Sequence, residues 1–157
     1  MTNLTIDVRI DDAAWIEVAP DAEAVVHRAL EAAARYLKTG GEAAVLLTDD
    51  DVMRTLNAQW RDKDKPTDVL SFPSDDDPMP GAPAFLGDIA LGLGTVAKDA
   101  LALGRPMELH ISHLVVHGFL HLLGYDHVEE SGAHAMETLE GTILADLGLP
   151  DPYGDAA

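Results

Sequence analysis

Apolar and polar residues alternate through LTIDVRI (4–10), the period of a strand that buries one face. From about Asp21 to Lys38 the period changes. Val25, Ala29, Leu30, Ala33 and Leu37 recur at helical spacing, and Gly40 and Gly41 end that helix. AAVLLT (43–48) is apolar throughout, as a central strand covered on both faces would be. Thr48 then opens a short helix, with Asp49, Asp50 and Asp51 in its first turn, where carboxylates favour the positive end of the helix dipole. Capping accounts for that acidic triplet better than metal binding does.

The segment RDKDKPT (61–67) is polar, basic and stopped by Pro66, a loop leading into the short strand DVLSF (68–72). PSDDDPMPGAP (73–83) is rich in Pro, Gly and Asp and predicts an exposed loop, and FLGDIALG (85–92) predicts another strand. Thr95 to Gly104 has helical spacing, Pro106 opens a longer helix to about Leu123, and a last helix runs from about Glu129 to Leu147. The tail PDPYGDAA is turn-like. Neither an internal repeat nor a linker is visible, so the expectation is one domain over residues 1–157. Its expected class is α+β, a small mixed β-sheet of about four strands covered by about five helices.

A chain of 157 residues buries roughly 70% of its unfolded surface on folding, enough for an independent core. It has no cysteine, so any metal must be held by His, Asp or Glu. Missing disulfides fit the cytoplasm. MTNLTIDVRI lacks a basic n-region and a long apolar h-region, and no stretch approaches the roughly 20 apolar residues of a membrane span. The expected location is therefore cytoplasmic, with no membrane contact. A net charge of −18 argues against non-specific coating of nucleic acid, and no DNA partner is expected. An RNA substrate would require a local basic cleft, a bound cation or a docking protein.

The chemistry concentrates in HGFLHLLGYDH (117–127), where three histidines interrupt a largely apolar run. Helical residues four apart are separated by about 6 Å along the axis and about 40° around it, so His117 and His121 project from one face onto one ion. Gly124 suits a left-handed helix terminus, after which the chain can return His127 to the same ion. Three neutral ligands leave a tetrahedral ion one open position, the catalytic rather than the structural arrangement. Zinc is the first choice, although imidazole also suits nickel, copper and iron.

This spacing coincides with the metzincin pattern H-E-x-x-H-x-x-G-x-x-H at every position but one. Where those proteases carry their general base, this chain has Gly118, which accepts no proton. The metal-binding helix is zincin-like; the peptidase machinery is missing.

HGFLHLLGYDH also resembles the signature of the YbeY family of bacterial endoribonucleases, as do LNAQWRDKDKPTDVLSFP (56–73), FLGDIALG (85–92), ELHISHLVVHG (108–118) and DPYGD (151–155). The resemblance implies a single-strand-specific, metal-dependent endoribonuclease acting in 16S rRNA 3′-end maturation and in late ribosome assembly and quality control. Its partners would be rRNA and the small ribosomal subunit with its assembly proteins. The family's ligands fall on His117, His121 and His127, and its functional arginine on Arg61. The implied catalytic residues are thus Arg61, His117 and His121. A guanidinium can hold a phosphate by two parallel hydrogen bonds and meet the charge that builds in the transition state.

Lys63 and Lys65 flank Arg61 as further substrate-binding candidates or as solvated lysines. Asp126 either orients a ligand histidine through its second ring N–H or is a turn residue. His113, four before His117, is expected packed behind the ligands rather than among them. Ser71 is placed at the groove, His110, His134 and His27 at the surface or at caps, and Asp88 in a strand ending beside the site. The general base is open between hydroxide generated at the metal, the RNA 2′-hydroxyl and Asp126. Two other classes remain: a zincin-like hydrolase of another substrate, and a non-enzymatic ribosome assembly factor with a structural metal, which the net charge of −18 favours.

Overall fold

The computed structural model describes residues 4–75, 83–125 and 130–153. Its elements, in chain order, are β1 (Leu4–Ile10), α1 (Ala14–Val18), α2 (Ala22–Leu37), β2 (Gly41–Thr48), α3 (Asp50–Arg61), β3 (Val69–Pro73), β4 (Phe85–Gly92), α4 (Leu93–Leu103), α5 (Met107–Leu122) and α6 (Glu130–Asp146). The four strands form one sheet in the order β1-β2-β4-β3. β1, β2 and β4 run parallel, and β3 pairs antiparallel with β4. The α+β class and the mixed four-stranded sheet expected from the sequence are both present.

Successive strand side chains point to opposite faces, and each face has its own cover. On one face Val45, Leu47, Ile89 and Leu91 join the main core, which α2, α5 and α6 supply with Val26, Leu30, Phe119, Leu120, Ile143 and Leu144. On the other, Leu70 and Ala90 pack with Met53 of α3 in a smaller cluster edged by Leu46, Leu56 and Phe72. α5 touches α2, α4, α6, β3 and β4. Every residue of α5 from Leu109 to Val116 is buried, and His117 is the first to emerge toward solvent. The helix that carries the histidine motif is therefore the central rod of the fold, with its C-terminal turn at the edge of the core.

Several local expectations are corrected. The stretch between β1 and α2, read without an element, contains α1, too short for a periodicity signal. Trp15 fixes it: fully buried, it donates its indole N–H to the Thr48 carbonyl at 2.8 Å. The cap of α3 is Asp49, not Thr48. Asp49 lies extended and its carboxylate accepts the Val52 N–H at 2.8 Å, while Thr48 ends β2. Asp50 caps a different helix, accepting from the Thr95 N–H at 3.0 Å and the Thr95 hydroxyl at 3.1 Å in the first turn of α4. α2 ends at Lys38 in a left-handed conformation, and Gly41 opens β2. Among the described residues six helices surround the sheet, in keeping with the about five expected. Among the described residues, no helix is long and apolar enough to cross a membrane.

Candidate metal centre and groove

The last turn of α5 opens into a groove of about 610 Å³ that Arg61, Asp68, Ser71, His117, His121 and Tyr125 help to line. It lies between the C-terminal ends of α3 and α5 and the edge strand β3.

The two helical histidines meet there with Nε2 atoms 3.1 Å apart. Each ring is fixed from behind. His121 Nδ1 lies 3.0 Å from the Tyr125 carbonyl, which only accepts, so this nitrogen carries the proton. His117 Nδ1 lies 2.7 Å from Glu140 Oε1, an ionised carboxylate that likewise only accepts. Both protons are thus on Nδ1, and both Nε2 lone pairs face the same point. Two such lone pairs at 3.1 Å repel unless a cation lies between them. Two imidazole nitrogens bound at about 2.0–2.1 Å to one tetrahedral ion stand about 3.3–3.4 Å apart. The pair fits a metal. The third expected ligand, His127, and Asp126 lie outside the described residues.

Gly124 has φ +96° and turns the chain off α5, so the Tyr125 carbonyl reaches back to His121. Behind His117 stands a network in which His113 is joined by Glu140, Tyr153 and Arg105, three residues that the sequence reading did not single out. Glu140 of α6 is 1% exposed. Tyr153 donates its hydroxyl to Glu140 Oε2 at 2.9 Å, and His113 Nε2 lies 3.3 Å from Oε1. An Arg105 N–H donates to His113 Nδ1 at 3.2 Å, which leaves the His113 proton on Nε2, facing Glu140 and Tyr153. Arg105 also donates to the Pro152 carbonyl at 2.7 Å, anchoring the segment that presents Tyr153. Burial alone would push the Glu140 carboxyl up, but the hydrogen bonds donated by His113 and His117 carry it down to about 2. Burial and the Glu140 charge push the Tyr153 hydroxyl up, so it remains a donor. The sequence does hold a signal for Glu140: it shares the buried stripe of Met136, Ile143 and Leu144, where a carboxylate is out of place unless it has partners.

Arg61 is the last residue of α3, not part of the loop in which the sequence placed it. Its guanidinium donates to the Ser71 carbonyl at 2.7 Å and lies 5.9 Å from the Phe72 ring centre, held at the groove by β3. Ser71 is buried and lines the groove, and its hydroxyl donates to the Gly118 carbonyl at 3.1 Å. Lys63 and Lys65 are exposed and stand outside the groove lining. Asp88 lies beside Trp60 and Phe72 in a neighbouring depression. His134 is exposed and His27 half-buried. His110 departs from its surface assignment: it is 3% exposed, because α5 is covered on all sides at that point. With Asp68 and Asp99 it forms a possible metal-binding group among the described residues.

Gly118 explains why no general base follows the first histidine. A Cβ there would stand 2.9 Å from the Ser71 hydroxyl oxygen and 3.0 Å from Ile89 Cγ2. The sheet occupies the space a glutamate would need.

Residues 8–148 match the family described as endoribonuclease YbeY. A protein of Rhodopseudomonas palustris (strain BisB18) named endoribonuclease YbeY is 53% identical over 141 residues, which cover 86% of this chain and 84% of that one. A protein of the same name from Paramagnetospirillum magneticum is 48% identical over 161 residues, covering 97% of this chain and 98% of its own. The solution structure of a Thermotoga maritima protein superposes with a TM-score of 0.59 at 22% identity, covering 96% of this chain and all of that one, and so shares its fold. With the family match spanning most of its length and relatives near half identity, this chain belongs to the endoribonuclease YbeY family.

Proposed function

We propose that this chain is a metal-dependent endoribonuclease of single-stranded RNA, a single catalytic domain that cleaves the 3′ end of precursor 16S rRNA during late assembly of the small ribosomal subunit. Relatives named endoribonuclease support the reaction class, the resemblance in sequence supports the rRNA substrate, and a chain with no cysteine fits a cytoplasmic location. One observation carries the reading: Arg61 and the converging His117 and His121 Nε2 atoms line the same groove.

His117, His121 and His127 are assigned to hold zinc or another divalent transition metal, which when bound lowers the pKa of water and polarises a phosphoryl oxygen. Glu140 and the Tyr125 carbonyl keep the two described ligand rings in the tautomer that offers Nε2. His113 and Tyr153 act one step further back, holding the Glu140 carboxylate. Arg61, steadied by Ser71, binds the scissile phosphate and offsets its developing charge. Tyr125, exposed on the rim, offers a ring on which an unpaired base stacks. Lys63 and Lys65 add positive charge beyond the groove, and Asp126 is assigned to orient a ligand ring.

The test is cleavage of a precursor 16S RNA by purified protein beside identically prepared His117→Ala and Arg61→Ala. Cleavage by the wild type alone is expected. Product ends then name the nucleophile: 5′-phosphate for water, cyclic 2′,3′-phosphate for the RNA 2′-hydroxyl. Equal cleavage by all three, or by none, would overturn the reading in favour of the assembly factor that the charge of −18 suggests.

A further inference from the structure

Asp68, Asp99 and His110 come from three elements, just before β3, on α4 and on α5, and each brings a ligand atom within 4.8 Å of the other two. None belongs to the histidine pair, and His110 sits two helical turns before His117. His110 is 3% exposed, yet neither of its ring nitrogens has a hydrogen-bond partner. Buried polar nitrogens are nearly always paired, so two orphans on one ring call for an explanation. The carboxylates beside it add the opposite problem, two negative charges brought close together in partly buried positions.

A proton on His110 would be one answer, but it fits poorly. An imidazolium paired with a carboxylate sits at about 2.8 Å, and His110 makes no contact of that kind. Burial, and then the Arg105 charge, also hold the ring below its ordinary pKa against the pull of Asp68, which keeps it in the neutral form that ligates. Donors on one ion at about 2.1 Å lie at most about 4.2 Å apart. The observed separations therefore need to close by no more than a small side-chain movement.

We propose that Asp68, Asp99 and His110 form a second divalent-metal site, taking a first-row transition cation that clamps β3, α4 and α5 together. Two carboxylates and one imidazole suit Zn²⁺, Mn²⁺ or Co²⁺ rather than a soft ion. The site stands whether or not the groove cleaves RNA. It also bears on the groove, because Asp68 lines it. A cation on that carboxylate reduces the negative field met by a phosphate backbone entering beside Arg61.

The experiment is a titration of metal-stripped, full-length protein with Co²⁺, read by visible absorption and by metal bound per chain after desalting. Two tight equivalents are expected for the wild type. Asp99→Asn, nearly isosteric, loses one and keeps the other; Asp68→Asn repeats the test from a different element, with circular dichroism checking both folds. His121→Ala loses the complementary equivalent, so the histidine centre and this one are scored separately. A wild type with one equivalent that His121→Ala abolishes would overturn the proposal. So would two equivalents retained in both aspartate variants.

Discussion

Replacing Glu140 with glutamine tests how the groove holds its histidines. The carboxylate is 1% exposed and accepts from His117 at 2.7 Å and from Tyr153 at 2.9 Å, with His113 at 3.3 Å. An ionised carboxylate is acceptor-only, so both its oxygens match these donors. A glutamine offers one oxygen and one NH₂. In one orientation its NH₂ faces the His117 Nδ1–H, and in the other it faces the Tyr153 hydroxyl, whose proton then loses its acceptor. Held down to about 2, the native carboxylate is ionised throughout any neutral assay, so the comparison is of charge and geometry, not of protonation.

Two costs follow. Hydrogen bonds to a charged group contribute about 1.5–3 kcal/mol each, so loss of one in the metal-free protein should lower stability by about that amount. The second is felt at the metal. When the group orienting a ligand histidine is lost, metal affinity falls about 10–100-fold, or about 1.4–2.8 kcal/mol. Competition with a chromophoric chelator measures the affinity, and nitrogen-detected imidazole NMR reads the His117 tautomer. Tyr153→Phe is the graded control: it removes one donor and leaves the charge, so its loss of affinity should be under tenfold. Binding within threefold of wild type for Glu140→Gln, with the His117 proton still on Nδ1, would refute a positioning role for Glu140.

Other expectations are simpler to state. Gly118→Ala places a methyl 2.9 Å from the Ser71 hydroxyl oxygen, and overpacking of this kind costs about 1–3 kcal/mol, visible as a lowered midpoint in thermal unfolding. An unchanged midpoint would mean that the contact relaxes freely. Arg61→Lys keeps the charge but loses the planar fork, so RNA cleavage should fall toward the level of Arg61→Ala, itself down about 10²–10³-fold; full activity would reduce Arg61 to a point charge. Trp15→Phe deletes the buried indole bond to the Thr48 carbonyl, an expected loss of about 1 kcal/mol in denaturant unfolding with cleavage unaffected.

What the sequence made legible follows its periodicity. The strands, the long helices and the facing pair His117 and His121 all lie within regular spacing, and spacing is what a single chain displays. The features that escaped depend on contacts between distant segments. α1 is a five-residue helix held by one tryptophan reaching across to β2. Asp50 reads as a first-turn acid of its own helix but caps α4, 45 positions on. Glu140 lies 23 residues from the histidine it holds and Tyr153 a further 13, distances over which no local pattern carries information. His110 went to the surface for the same reason: only the packing of α5 on every side reveals its burial.

Gly118 joins these two kinds of information. Read along the chain, it is a missing glutamate in a zincin-like helix, and the conclusion is negative: the metzincin general base is not there, which disfavours a peptidase. In the fold the same absence has a positive role. Without a side chain at 118, β3 approaches α5 closely enough for the Ser71 hydroxyl to bond the Gly118 carbonyl at 3.1 Å. The carbonyl of that same serine holds the Arg61 guanidinium at 2.7 Å, at the groove into which His117 and His121 open. A glutamate at 118 would push the strand away and take the arginine's anchor with it. The exchange of glutamate for glycine thus replaces a proton acceptor beside the metal ligands with a fixed cation facing them. A fixed cation suits a substrate whose reacting group is an anion, and a phosphodiester is one.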